Sequence, residues 1–526
     1  MNSELERLSD VQKLSAHVTR VLGQNPGLMT LQGTNSYLLQ PPSNSHAPLI
    51  LIDSSSPHTA QQYVDCLFTH LFHLALQSGV RETHFESRYA RDTLKFVPED
   101  RQDQVKAEIV GLRAEDPRAQ PLGLVEYGPN ATWANGQELK ERRIPPIEHI
   151  ILTHRHLDHV GAIPLLLETL KKHGCPPPKI WKFPSPDEVE LVASERERPT
   201  SDAALVQTLP TGTFQPFSPF QPLHPIMPGL MISIIDPAYR HLLKHDKEGK
   251  PKWNQVPEMA RVSVRCLRTP GHTADSVSLI MCEGEKGVFT GDTVLGQGTT
   301  VFTDLASYMT SLKVLLALKP TVLYPAHGPH IPTAEASAKH INDYIVHRQE
   351  REDQIIALLQ SLKADPTLLG KSIKILLDDF KAEKDSKEKY NNEYLTGEPF
   401  ELSSKVIQRR EREAEEKLAK QGPIETMFKD ATCITIPLIC RLLYKTDKDG
   451  VIAAAGKSVK AHLDKLLKEG KVFKATVRMP KILAGEIELD VEQDGWEWVP
   501  EEQDEDTVET DDKDEEQREN DKIKTD

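Results

Sequence analysis

Cysteine is scarce and unpaired in this chain: six residues, Cys66, Cys175, Cys266, Cys282, Cys433 and Cys440, are scattered over 526 positions without a C-x-x-C pair. That excludes a disulfide-stapled scaffold and predicts buried, inert thiols in a reducing compartment. Long apolar runs are missing as well. No stretch approaches the roughly 18 apolar residues a membrane helix needs, so the expectation is a soluble chain with no membrane partner. The opening segment MNSELERLSDVQKLSAHVTRVL contains Glu4, Glu6 and Asp10. It lacks both the apolar core of a secretory signal and the acid-poor character of a transit peptide, which makes the cytoplasm the default location. No internal repeat of fixed period is present. The length allows two to four domains with a full hydrophobic core.

Net basic charge is also absent. Lys plus Arg number 64 against 79 Asp plus Glu, a formal charge of −15, which at first argues against a nucleic-acid partner. The distribution changes that reading. Residues 501–526 hold fourteen acidic and four basic groups, and residues 482–500 add six acids and no base, whereas residues 432–481 carry eleven basic and four acidic groups. The last 26 residues read as an acidic disordered tail beside a basic module.

Strand and helix patterns alternate along the chain. APLILID is a short buried run ending at Asp53. Residues 58–78 have helical periodicity, and residues 80–140, with little apolar rhythm, read as a surface insertion. IEHIILTHRHLDHVGAIPLLLETLKKHG is a buried strand, a turn and an amphipathic helix stopped by Gly174. Residues 184–256 read mostly as a second long loop insertion. VSVRCLRTPGHTADSVSLIM, GVFTGDTVLG and TVLYPAHGP are strand patterns that run into loops. A long helix carries the chain away from residue 335, residues 364–430 look like a charged linker or insertion, and residues 431–500 read as two helices and two or three strands. Strands that end in polar, ligand-type residues and are separated by helices describe an α/β core with its site at the strand ends.

The sharpest local signal is His154-Arg155-His156-Leu157-Asp158-His159, directly after the strand HIILT. Four ligand-type side chains in six residues converge on a point when they sit on a turn, whereas a helix would spread them around its circumference. Imidazole and carboxylate are ligands that zinc and related divalent ions prefer, and one ion needs only three or four. His272, Asp292 and His327 each follow a strand pattern and each adjoin a glycine, at 271, 291 and 328, as expected where backbone approaches a crowded site.

This constellation resembles the metallo-β-lactamase superfamily, whose pattern is an aspartate after an early strand, H-x-H-x-D-H, then a histidine, an aspartate and a final histidine. The resemblance implies an αββα metallo-β-lactamase sandwich holding two zinc ions, with other divalent metals as the alternative. One ion would be held by His154, His156 and His272 and the other by Asp158, His159 and His327, with Asp292 bridging and Asp53 orienting the ligands from behind. Two dications about 3.5–4 Å apart that share a water lower its pKa toward neutrality and supply a hydroxide nucleophile. No Ser or Cys nucleophile is then needed, and Asp158 is the catalytic candidate for handling the proton.

The segments Asn25-Pro26-Gly27 with MTLQGTNSYLL, GDTVLGQGTTVFTDLASYMTSLK, YPAHGPHI and HINDYIVHRQERE are similar to β-lactamase-like endoribonucleases and, in part, to fungal lactamase-type thioesterases. Both groups carry a C-terminal winged-helix extension. The implied organisation is a metallo-β-lactamase domain over residues 1–335 with insertions near 80–140 and 184–256, a helical and charged linker over 336–430, a winged-helix-like domain over 431–500 and the tail. The implied activity is hydrolysis of single-stranded RNA. The alternative is a thioester hydrolase acting on an acyl carrier protein, a polyketide, or a glutathione or coenzyme A thioester. The resemblance also adds the mitochondrial matrix as a second location. The chain departs from the family pattern in the long interval between Asp53 and His154, in the expanded segments 184–256 and 364–430, and in the acidic tail. Lys457, Lys460, Lys465, Lys468, Lys471 and Lys474, on and just after one helix, are the candidate phosphate contacts.

Overall fold

The structure is a computed structural model that describes residues 7–79, 144–185, 201–249, 251–379, 432–446, 448–483 and 486–500. The segment 80–140 and the acidic tail therefore lie outside the described residues. The chain divides into two compact units, residues 1–350 and 351–526.

Two β-sheets form the first unit among the described residues. The first contains β1 (Val11–Lys13), β2 (Val18–Leu22), β3 (Asn35–Leu39), β4 (Leu49–Ile52), β5 (Ile147–Leu152), β6 (Lys179–Lys182) and β7 (His224–Pro225) in chain order. Pairing is antiparallel from β1 to β4 and parallel from β4 to β7. The second contains β8 (Met231–Ile235), β9 (Arg261–Arg268), β10 (Val277–Met281), β11 (Gly287–Gly291) and β12 (Val322–Pro325), antiparallel except for the parallel β11–β12 pair. A parallel pair needs a crossover, and α5 (Leu305–Ala317) supplies it.

Side chains alternate across each strand, so the fully apolar β4 serves two cores. Ile50 and Ile52 join Tyr37 and Ile151 of the first sheet with Val262, Leu279, Phe289 and Tyr324 of the second in one buried layer. Leu49 and Leu51 face the other way, against α1 (Ala60–Gly79) through Tyr63, Leu67 and Leu71 and against α3 (Ile163–Lys172) through Ile163 and Leu166. Stacked sheets with helices outside are the expected sandwich. Between β5 and α3 lies the single-turn α2 (Leu157–Val160), so Asp158 and His159 stand on a helical turn and only the first half of the hexapeptide is irregular.

The described residues of 184–256 are mostly irregular, as expected, but they also hold regular elements. α4 (Asp202–Thr208), β7 and β8 lie there, and β8 pairs along its length with β9, where Ile232 and Ile234 join the layer between the sheets. Strand MISII escaped notice because prolines and polar residues surround it.

The boundary between the units falls within α6 (Ala334–Ala364). In the second unit, residues 368–379 are helical, and Leu369, Ile373 and Leu377 are buried with Ile355, Leu359 and Trp496. That stretch is packed core where a charged linker was expected, and residues 380–430 lie outside the described residues. The rest is β13 (Ile434–Thr435), α7 (Ile436–Tyr444), α8 (Asp449–Lys468), β14 (Val472–Leu483) and β15 (Glu486–Trp498), with sheet order β13-β15-β14.

Cross-strand register weakens the charge argument made on sequence windows. The basic residues 472–481 and the acidic residues 486–497 are the two strands of one ribbon, with Arg478 opposite Glu492 and Lys481 opposite Glu488. Lys474 Nζ lies 2.9 Å from Asp494. On and after α8, Lys460 pairs with Asp464 at 2.6 Å, Lys465 with Glu352 and Glu469 at 2.7 Å each, and Lys471 with Glu469 at 3.1 Å. Among the described residues, no helix is long and apolar enough to cross a membrane.

Candidate metal centre

Every sequence-predicted ligand follows a strand of the sandwich, directly in a loop or, for Asp158 and His159, on the turn α2, and the two sheets bring them to one edge. β5 leads into His154, His156, Asp158 and His159. β9 leads to His272, β11 to Asp292 and β12 to His327. Gly291 closes β11 with φ +53, and a Cβ there would press on the Thr153 side chain at 3.1 Å. Glycine therefore allows the chain to turn beside β5 and present Asp292.

Behind the ligands, Asp53 ends β4 with φ +56, the left-handed region that most residues avoid. Its side chain ties that conformation down. Asp53 Oδ1 accepts from Thr153 N and Oδ2 from Thr153 Oγ1, both at 2.7 Å, and Oδ2 lies 2.9 Å from His159 Nδ1. A carboxylate only accepts, so His159 donates from Nδ1 and turns Nε2 toward the centre. The Thr153 hydroxyl spends its proton on Asp53 and therefore accepts from His154 Nδ1 at 3.0 Å, which leaves His154 Nε2 for a ligand. His272 Nδ1 donates to Val301 O at 2.6 Å, with the same result for its Nε2. Three rings are thus held in the tautomer that metal ligation requires. Thr153, between strand and motif, carries no residue-type signal and was missed from sequence.

The ligand atoms fall into two adjoining groups. His154, His156, His272 and Asp292 form one and Asp158, His159 and His327 the other, each with its donor atoms within 4.8 Å of one another. Asp292 reaches both. Its Oδ2 is 3.4 Å from His272 Nε2 and 3.9 Å from His154 Nε2, while Oδ1 is 3.4 Å from His327 Nε2 and 3.6 Å from His159 Nε2. Asp158 Oδ2 lies 3.3 Å from His327 Nε2 and 3.4 Å from His159 Nε2.

These spacings fit a cation. Ligand atoms about 2.0–2.2 Å from a tetrahedral ion stand about 3.3–3.6 Å from one another. In the second group both distances from Asp158 fall within that interval. The first brackets it, with His156 Nδ1 2.9 Å from both His154 Nε2 and His272 Nε2. His159 Nε2 and Asp292 Oδ1 are buried without a hydrogen-bond partner, an arrangement that is costly unless a positive ion completes it.

Electrostatics divides the histidines. Burial, reinforced by neighbouring imidazoles, drives His154 well below its ordinary pKa and His156 to about 3, so both are neutral and ready to ligate. Burial also opposes a charge on His159 and His327, but carboxylates outweigh it. Asp158, Asp292 and Asp53 hold His159 well above its ordinary value, and Asp292 with Asp158 brings His327 to about 9. Burial likewise opposes ionisation of Asp158 and Asp292, and the facing histidines hold both well below the carboxylate range. Two protons therefore occupy the second group at neutral pH when no cation does, and ion uptake displaces them.

A second buried network supports the ligand loops. Lys182 Nζ lies 2.6 Å from Asp275 Oδ2 and 2.7 Å from Asp202 Oδ1, and donates to Ser185 Oγ at 2.6 Å. Arg155 Nε, between two ligands in sequence, is 3.9 Å from Asp275 Oδ1.

Comparison with known proteins agrees with this geometry. Residues 124–327 match the profile of the metallo-beta-lactamase superfamily, and residues 435–478 match that of the beta-lactamase associated winged helix domain. Asp53 precedes the matched range, so its place rests on the structure. The chain is 28% identical over 363 residues, 68% of its length and 75% of the relative, to a Caenorhabditis elegans protein named beta-lactamase-like protein 2 homolog. It is 29% identical over 347 residues, 66% of its length and 75% of the relative, to a Drosophila melanogaster protein of the same name. To the atrochrysone carboxyl ACP thioesterase of Aspergillus fumigatus it is 25% identical over 363 residues, 69% of its length and 71% of the relative. The chain therefore carries a hydrolase domain of the metallo-beta-lactamase superfamily, followed by a beta-lactamase associated winged helix domain.

Proposed function

We propose that this chain is a dinuclear zinc hydrolase, with single-stranded RNA as its leading substrate class. The observation that carries the dinuclear reading is Asp292, whose two oxygens reach into two adjoining groups of ligand atoms. His154, His156 and His272 would hold one ion, and Asp158, His159 and His327 the other. Bound there, divalent ions lower the pKa of water toward neutrality and polarise the bond to be cleaved. The protein's own part is to hold three rings in the ligating tautomer through Asp53, Thr153 and Val301, and to keep His154, His159, His272 and His327 buried. Asp158, with its side chain 22% exposed, is a ligand through which a proton can pass toward solvent.

Support for RNA comes from the winged helix domain and from Phe473, 58% exposed on β14, a platform on which a base can stack, with Lys471 and Lys474 near it in sequence. The acidic partners of these lysines reduce the field they project. Surface pairs of this kind are worth only about 0–1 kcal/mol and yield to a phosphate at small cost. A thioester hydrolase is the second reading, supported by the similarity to the Aspergillus fumigatus thioesterase. The test is to load the full chain with zinc, count the metal, and offer a labelled single-stranded RNA and an acyl thioester side by side. RNA cleavage that weakens steeply with salt is expected. Turnover of the thioester with the RNA left intact would refute the leading class.

A further inference from the structure

The segment HINDYIVHRQERE supplies no ligand to the centre. It lies in α6, where His340, Tyr344 and Arg348 follow one another at four-residue spacing and so share one face of the helix. All three grip the backbone of the loop after Asp292. His340 Nε2 donates to Leu295 O at 2.7 Å. The Tyr344 hydroxyl accepts from Leu295 N at 3.1 Å and donates to Gly298 O at 2.9 Å. Arg348 donates to Thr300 O at 2.9 Å, and its guanidinium sits 4.7 Å from the centre of the Phe302 ring.

The loop so held touches the centre at two further points. Val301 O, the carbonyl after the one Arg348 binds, accepts from His272 Nδ1. Gly296 N donates to His327 O at 2.7 Å, and a Cβ at Gly296 would collide with Pro329 O, so the loop has no room to shift on that side. Tyr344 and Arg348 are themselves buried, 4% and 6% exposed.

We infer that His340, Tyr344 and Arg348 are positioning residues for the metal centre: along one helix face they fix residues 295–301 in the register that sets the His272 ring. The inference rests on the centre holding metal. Residues behind ligating histidines typically govern metal affinity by about 10–100-fold, and these three act through backbone carbonyls rather than side chains.

Cobalt(II) serves as a visible substitute for zinc in the test. Affinity is measured by competition with a chromophoric chelator, and the ligand field is read from the cobalt absorption spectrum, for the wild type, Tyr344→Phe, Arg348→Met and Arg348→Lys. Tyr344→Phe keeps the ring and removes only the hydroxyl, so it remains informative if Arg348→Met fails to fold. The expected result is about a 10–100-fold loss of affinity for one of two ions in Tyr344→Phe and Arg348→Met, with an altered spectrum and partial recovery in Arg348→Lys. Equal affinity and a superimposable spectrum in folded variants overturn the assignment, even if their melting temperatures drop. A wild-type chain that takes up no metal overturns the centre itself, and the assignment with it.

Discussion

Replacing Lys182 with methionine tests whether the buried ion network behind the ligand loops is organised as described. The Lys182 side chain is 1% exposed and Asp275 is 0% exposed, with 2.6 Å between the charged atoms. At that distance and an effective dielectric near 20, the attraction is about 6 kcal/mol. Removing one member of a buried pair leaves the other uncompensated, and the net cost is about 3–5 kcal/mol. Arg155, 3.9 Å from Asp275, answers only part of the remaining charge. At about 2 °C per kcal/mol for a unit of this size, the melting midpoint should fall by about 6–10 °C in a thermal scan. Adding Asp275→Asn to Lys182→Met should recover more than half of the loss. The pH response has a definite sign. Burial works against the Asp275 charge, but Lys182 outweighs it and keeps the carboxyl below its ordinary value. Its contribution is present above the unfolded carboxylate pKa and is lost as pH falls through the lower folded value. In Lys182→Met, burial instead raises that pKa, so acidification neutralises Asp275 and the gap to the wild type narrows toward about pH 4. A variant that melts within about 2 °C of the wild type, or a double variant whose loss is the sum of the singles, would refute this account.

Three further outcomes follow from the centre. His156→Ala combined with Asp292→Ala should abolish bound metal and all hydrolysis, and retention of either in a folded protein contradicts the ligand assignment. Because the facing carboxylates hold His327 at about 9, a proton must leave before an ion binds. His159, also held above its ordinary value, gives up a second proton, so apparent affinity of the second group should rise by about ten- to a hundredfold per pH unit between 7 and 9, with protons released into weakly buffered solution; an affinity independent of pH would rule this out. Asp53→Asn removes the carboxylate that aligns His159 at 2.9 Å. It should weaken metal binding by about 10–100-fold in a chelator competition, while an unchanged affinity would show that the ring needs no such alignment.

Much of the site was legible because its signals are short. HRHLDH is six adjacent residues, β4 is the uninterrupted apolar run LILI and β5 ends in another, IIL, the pattern of strands buried on both faces. What escaped depends on distant pairing or on backbone. Leu369, Ile373 and Leu377 recur at helical spacing, yet the charged residues that follow masked the pattern. The opposition of Arg478 and Glu492 is a matter of register across a hairpin, which a charge count over a sequence window cannot contain. The partners of His340, Tyr344 and Arg348 are peptide groups, and a peptide group has no letter in the sequence.

One sheet contributes His154, His156, Asp158 and His159, and the other contributes His272, Asp292 and His327. The conspicuous hexapeptide is thus half of a centre, and an ion seated there is also a cross-link. His156 and His272, 116 positions apart in sequence, would be joined through it. A covalent bridge closing a loop of that span withdraws about 4–5 kcal/mol of entropy from the unfolded chain. Bound metal then acts as a fastener between the two halves of the sandwich, so a chelator should loosen the fold as well as silence the chemistry. Metal content becomes a measure of how much of the chain has brought its sheets together.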